Sequence, residues 1–155
     1  MNLRFQVVSK KRLFVSTYYS SKDSSFGYED PCGDCSIMID NGYTSLDVSL
    51  IDNTVCGISG YNPKKNWIIK KLNFPKEKAL NGQLKIINME SIPIGSAVTY
   101  NRDWKTFFDP ETGVVCIGTT NLSSEMVIVE FCTDTLAVLI GDKLIAIWIL
   151  PVFTP

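Results

Sequence analysis

Histidine is absent from the 155 residues of this chain. That omission removes imidazole acid-base chemistry, the Ser-His and Cys-His routes to an activated nucleophile, and the commonest metal ligand. The glycine spacings GxGxxG and GxxxxGK are also missing, and neither Gly57-Ile58-Ser59-Gly60 nor the stretch 113–118 replaces them, so no phosphate cradle is indicated. The longest apolar tract, residues 144–152, is far shorter than the roughly 20 residues that span a bilayer. At the N-terminus the positive cluster Lys10-Lys11-Arg12 follows the apolar residues instead of preceding them, which is the wrong order for a signal peptide. These absences predict a soluble, cytoplasmic protein with no membrane contact.

Helical periodicity is nearly missing too. Asn62-Pro63 resembles a cap and first helical position, with Trp67, Ile68 and Leu72 behind it, and a short helix over 63–72 competes evenly with extended structure. Lysines 64, 65, 70 and 71 crowd that segment, two of them in the first turn, where the helix dipole disfavours cations.

Five cysteines, an odd number at irregular spacing, argue against a disulfide framework. Cys56, Cys116 and Cys132 lie in apolar tracts and read as small core hydrophobes. Cys32 and Cys35 form a CxxC, but no helical pattern follows Cys35 and no second cysteine pair exists. A loop coincidence outweighs a partial metal site or a redox pair. Asp109 and Glu111 flank Pro110 in a turn, where carboxylates are usually solvated rather than convergent on a cleft. The sequence therefore assigns no catalytic residue, no metal ligand and no cofactor.

What is present is period-two alternation with β-branched residues along most of the chain. Residues 3–7 and 13–19 read as strands, as do 46–50 and 55–58, joined as a hairpin through Asp52-Asn53. A second hairpin, 104–108 with 114–117, turns at Asp109-Pro110-Glu111-Thr112-Gly113, where proline presets φ and Gly113 takes the left-handed position. Residues 126–131 add a strand. Strands 136–140 and 144–149 join through Gly141-Asp142-Lys143 and lack polar alternation, so both their faces are covered and they lie at a sheet centre. Residues 20–35 read as one long loop. The predicted fold is a single mainly β domain over 1–155. Its twisted antiparallel sheet forms a sandwich or a partly open barrel with at most one or two short helices. Edge strands are expected at 3–8 and near Lys85, where lysine discourages further pairing.

Charge is sorted along the chain although the formal net charge is only -1. Asp23, Glu29, Asp30, Asp34, Asp40, Asp47 and Asp52 follow one another with no lysine or arginine between them. Residues 1–22 are purely basic, and 64–85 hold seven lysines against Glu77. Surfaces of one sign steer partners of the other. The acidic stretch also carries aromatics, and tyrosines beside charge anchor interfaces. Asp23, Phe26, Tyr28, Glu29, Asp30, Asp34, Asp40, Tyr43 and Asp47 are thus the candidate interface with a basic partner protein. Lysines 64–85, with Trp67 and Phe74 among them, form a weaker candidate for nucleic acid, against which a sequence pI near 5.4 argues. A third option is a structural subunit pairing as a homodimer through its apolar C-terminal strands.

In organisation the chain resembles the small cytoplasmic immunity proteins that neutralise bacterial toxins. The features that carry this are its size, the lack of histidine, the Asp109 to Gly113 hairpin and the apolar closing strands that end at Pro151-Val152-Phe153. The resemblance implies a compact, non-catalytic inhibitor that occludes a basic toxin domain, as a monomer or homodimer.

Overall fold

The computed structural model describes residues 2–40, 43–90 and 92–155. Its first strands are β1 (Phe5–Val8), β2 (Leu13–Ser16), β3 (Tyr18–Ser20), β4 (Ser25–Gly27), β5 (Cys35–Met38), β6 (Ser45–Ser49), β7 (Thr54–Tyr61), β8 (Ile68–Ile69) and β9 (Leu80–Asn81). Then come β10 (Gln83–Ile86), β11 (Ala97–Thr99), β12 (Thr106–Phe108), β13 (Val115–Gly118), β14 (Val127–Thr133), β15 (Thr135–Ile140), β16 (Lys143–Ile149) and β17 (Val152–Thr154). They form two sheets that do not close into a barrel, the arrangement of a β-sandwich. Sheet one runs β11-β5-β6-β7-β4-β3-β17, with β10 beside β7 and β1 beside β10. Sheet two runs β2-β14-β15-β16-β13-β12-β8, with β9 beside β14. The central pairings are antiparallel, while short parallel pairings attach β11, β17, β2, β8 and β9.

Alternation decides the packing. In sheet two Val115, Ile117, Val129, Phe131, Ala137, Leu139, Ile147 and Ile149 point between the sheets, where they meet Phe5, Tyr19, Ile37, Leu46, Val48, Ile58 and Ile86 of sheet one. The intervening residues Val114, Cys116, Ile128, Leu136, Val138, Ala146 and Trp148 point outward into a second core, covered by Leu72, Phe74, Leu122 and Met126. The unbroken apolar runs of β15 and β16 are therefore buried on both faces at the sheet centre, as their sequence predicts. Enclosed in this way, they offer no free edge for pairing across a dimer.

All three hairpins form. Asn53 takes φ 62° between β6 and β7, Gly141 takes φ 59° between β15 and β16, and Gly113 takes φ 84° between β12 and β13. Three expectations are corrected. The run 13–19 splits at Thr17, and β2 joins sheet two while β3 joins sheet one. The expected loop over 20–35 contains β4, whose Phe26 packs on Tyr19 with ring centroids 4.9 Å apart. The strand at Lys85 is internal, since β10 lies between β1 and β7. Residues 63–72 resolve as a single 3-10 turn at Lys64–Asn66 followed by β8, because Trp67 must reach the core, where it stacks against Phe26.

The Asp109 carboxylate organises the turn after β12. Its Oδ2 accepts from Leu72 N at 2.9 Å and its Oδ1 from Glu111 N at 3.0 Å. These amides, Leu72 foremost, hold the carboxyl below its ordinary range. A depressed acid adds stability that is full above the unfolded value of about 4 and is lost as pH falls through the folded value. Thermal midpoints followed from about pH 6 into acid should fall less steeply for Asp109→Asn than for the wild type. Parallel curves would remove Asp109 from the acid response.

Candidate partner-binding face

The acidic stretch folds onto the outer side of sheet one and divides there into three environments. The exposed one sits at the β3–β4 turn. Ser20 Oγ accepts from Asp23 N at 3.2 Å, and Ser25 Oγ donates to the Asp23 carbonyl at 3.0 Å, so the turn presents the Asp23 carboxylate to solvent. Beyond β4 the chain rises through Tyr28 to exposed Glu29 and to Asp30, which adopts φ 53°, a conformation that aspartate tolerates better than most residues. Tyr18, Asp23, Tyr28 and Glu29 enclose an open cleft of about 370 Å³ whose lining contains no lysine or arginine.

The second environment is a hydroxyl cluster around Asp47. Tyr28 Oη donates to Asp47 Oδ2 at 2.7 Å, and Ser59 Oγ lies 3.0 Å from Oδ1 and 2.9 Å from Oδ2. Ser45 Oγ donates to Oδ1 at 3.2 Å. Alternation puts these groups on one face, for Asp47 lies opposite Gly57 and Ser45 opposite Ser59. Gly57 has no side chain, so the Tyr28 ring can lie against its Cα; an added Cβ would collide with the ring. Burial first, and the bond to Asp47 second, push the Tyr28 phenol above its ordinary range. A disulfide between Cys32 and Cys56 fastens the 28–34 segment to β7, with Cα atoms 6.3 Å apart.

Asp40 belongs to the third environment, a buried network. It accepts from Thr44 N at 3.3 Å and from Asn62 Nδ2 at 3.4 Å, while Asn62 also donates to Thr106 Oγ1 at 2.9 Å and accepts from Trp67 Nε1 at 2.8 Å. Above it, Tyr43, Tyr61 and Trp104 wall a cleft of about 510 Å³. The two clefts adjoin, because Ser25 of the first pairs across β4 and β7 with Tyr61 of the second.

Of the nine candidate interface residues, Asp23, Glu29, Asp30 and Tyr43 are exposed and Tyr28 is half-buried at the cleft wall. Phe26 is a correction: at 3% exposure it is a core residue, since the middle of a three-residue strand must face inward when its neighbours face out. Asp40 is likewise interior, and Asp47 is occupied by hydroxyls. Asp34 caps the turn after β6 by accepting from Leu50 N at 2.8 Å.

Tyr61 was not among the candidates, although it continues the outward series Gly57, Ser59, Tyr61 along β7. Cys56 is a second correction, for it is a disulfide partner and not a free core thiol, while Cys35 of the CxxC is buried and reduced. Only the register of β7 reveals this pairing, which spans 24 residues. Among the described residues no group of acidic and cysteine side chains is arranged to hold a metal ion. Comparisons with protein families, curated proteins and solved structures found no match to this chain.

Two outcomes are expected. Tyr28→Phe should cost about 1–2 kcal/mol in chemical denaturation by leaving Asp47 without its phenol donor; an unchanged midpoint would show that the cluster is not stabilising. Under native, non-reducing conditions all five cysteines should resist alkylation. Cys32 and Cys56 are bonded, and burial raises the thiols of Cys35, Cys116 and Cys132, the last to about 12. Peptide mapping should then recover the 32–56 link, and labelling of Cys32 in the native protein would refute it.

Proposed function

We infer that this domain is a non-catalytic binding protein that captures a basic protein on the outer side of sheet one and acts by occlusion, as the immunity proteins it resembles do. The observation that carries the reading is the cleft between Tyr18 and Tyr28, rimmed by Asp23 and Glu29 and lined by no cation. A lysine or arginine entering it meets carboxylates for charge and tyrosine faces for cation–π contact. Asp30 extends the acidic rim, and Tyr43 and Tyr61 extend the aromatic surface.

The nucleic-acid alternative loses its stacking partner. Trp67 is only 7% exposed, held among Tyr19, Phe26 and Phe108, and cannot receive a base. Among the described residues no helix is long and apolar enough to cross a membrane. The disulfide runs against the expected cytoplasmic location, since such bonds persist in oxidising surroundings. The binding reading does not depend on the compartment.

Association of an arginine-rich peptide should slow by about tenfold or more at low salt when Asp23, Glu29 and Asp30 are all changed to lysine, and the difference should shrink at high salt. Tyr18→Ala should instead speed dissociation. Association rates that do not respond to the triple reversal would overturn the reading.

A further inference from the structure

The outer face of sheet two carries a third cleft that does not depend on the acidic face. Two irregular segments cross that face, 70–79 and 119–126, and bury Cys116, Leu136, Val138 and Ala146 beneath Leu72, Phe74 and Leu122. They do not meet. A cleft of about 710 Å³ remains between them, within the size range of small-molecule sites. Leu72, Phe74, Leu122 and Trp148 give it an apolar lining, and Asn73, Thr120 and Asn121 add neutral polar groups.

Its charge has essentially one sign. Lysines 70, 71, 76 and 78 line it against the single acid Glu77. Two of these cations are held in place: Lys70 Nζ donates to Thr120 Oγ1 at 2.7 Å, and Lys76 Nζ pairs with Asp134 at 2.6 Å and Glu130 at 3.7 Å. Lys71 and Lys78 have no ion-pair partner among the described residues. Trp148 is 2% exposed, and its Nε1–H has no acceptor among the described residues. A buried donor left unsatisfied is unfavourable and marks a place where an acceptor is missing.

We propose that this cleft binds a small amphipathic anion, with an aliphatic or aromatic body on the partly exposed Phe74 and Leu122 and a carboxylate or phosphate at Lys71 and Lys78. A nucleic-acid strand fits less well, because it needs a continuous basic track with exposed stacking platforms. Here Phe74 is the one partly exposed aromatic among the described lining residues, a single ring and not a series of platforms.

Anilinonaphthalene sulfonate supplies an anionic probe, and phenylnaphthylamine the same body without the charge. Fluorescence titration of the native protein should show one saturable site for the sulfonate, at least about tenfold tighter than for the neutral analogue. The sulfonate should also raise the thermal midpoint, as only binding to the folded state does. Lys71→Glu with Lys78→Glu should weaken it by about tenfold or more, and Asn121→Trp, which fills the cleft from an exposed position, should abolish it. Displacement by decanoate or by adenosine monophosphate would support the site and say which anion it prefers. Equal binding of the neutral probe, indifference to both variants, or displacement by an oligonucleotide alone would overturn the proposal.

Discussion

The structure depends on sheet two being buried on both of its faces. Strands β13, β15 and β16 alternate apolar with apolar, and β14 does so except at Glu130, so each contributes to two cores at once. At about 1.5–3 kcal/mol for each large aliphatic or aromatic side chain fully buried, this sheet is the main store of stabilising free energy. It also imposes a requirement. A sheet with two apolar faces needs two covers, and the chain has only one further sheet to offer. Irregular segments supply the second cover, with Leu72 tied down through its amide to Asp109. Such segments fit less completely than a sheet does, which is why a cleft of about 710 Å³ remains there.

The charge sorting acquires two meanings in three dimensions. Part of the acidic stretch is structural: Asp34 caps a turn, Asp40 sits in a buried amide network and Asp47 gathers hydroxyls. The remainder, Asp23, Glu29 and Asp30, faces solvent on sheet one. The lysines divide in the same way. Lys85 is half-buried inside a sheet and Lys64 lies over the rings of Phe108 and Phe153, whereas lysines 70 to 78 ring the cleft on sheet two. The lysines that ring the sheet-two cleft thus lie on a different sheet from Asp23, Glu29 and Asp30, while Lys85 shares sheet one with them. The one close encounter of opposite charges among the described residues is Glu130, buried on β14 between Arg12 and Lys76 and next to Asp134.

Fold class was legible because period-two alternation and turn chemistry are local. The hairpins at Asn53, Gly113 and Gly141 needed only a few neighbouring residues, and the centrality of β15 and β16 followed from their lack of polar positions. What stayed hidden was non-local. Nothing near Thr17 in sequence says that the run 13–19 changes sheets there; at the corner its hydroxyl meets that of the distant Thr135 at 2.9 Å. Phe26 reads as an interface aromatic until β4 pairs with β3 and turns it inward. The candidate face was about half readable: acidity and tyrosine content showed in the sequence, but which carboxylates the fold would consume depended on cross-strand register. Cys56 belongs with these, since its partner is set by how β7 lies against the 28–34 segment.

The corner at Thr17 has one more consequence. There the chain leaves β2 in sheet two for β3 in sheet one, and at Pro151 it leaves β16 for β17 in the same sense; the two crossings lie side by side, joined by Val152 N donating to the Thr17 carbonyl at 2.9 Å. A strand that belongs to one sheet is covalently continued by a strand of the other, twice, at one place. Neither sheet can open without loading the other, so exchange of the most protected amides should track global opening and not separate sheet by sheet. The pairing of β3 with β17 also brings together residues from opposite ends of the described chain, a contact pattern that slows folding while making the folded state a single cooperative unit.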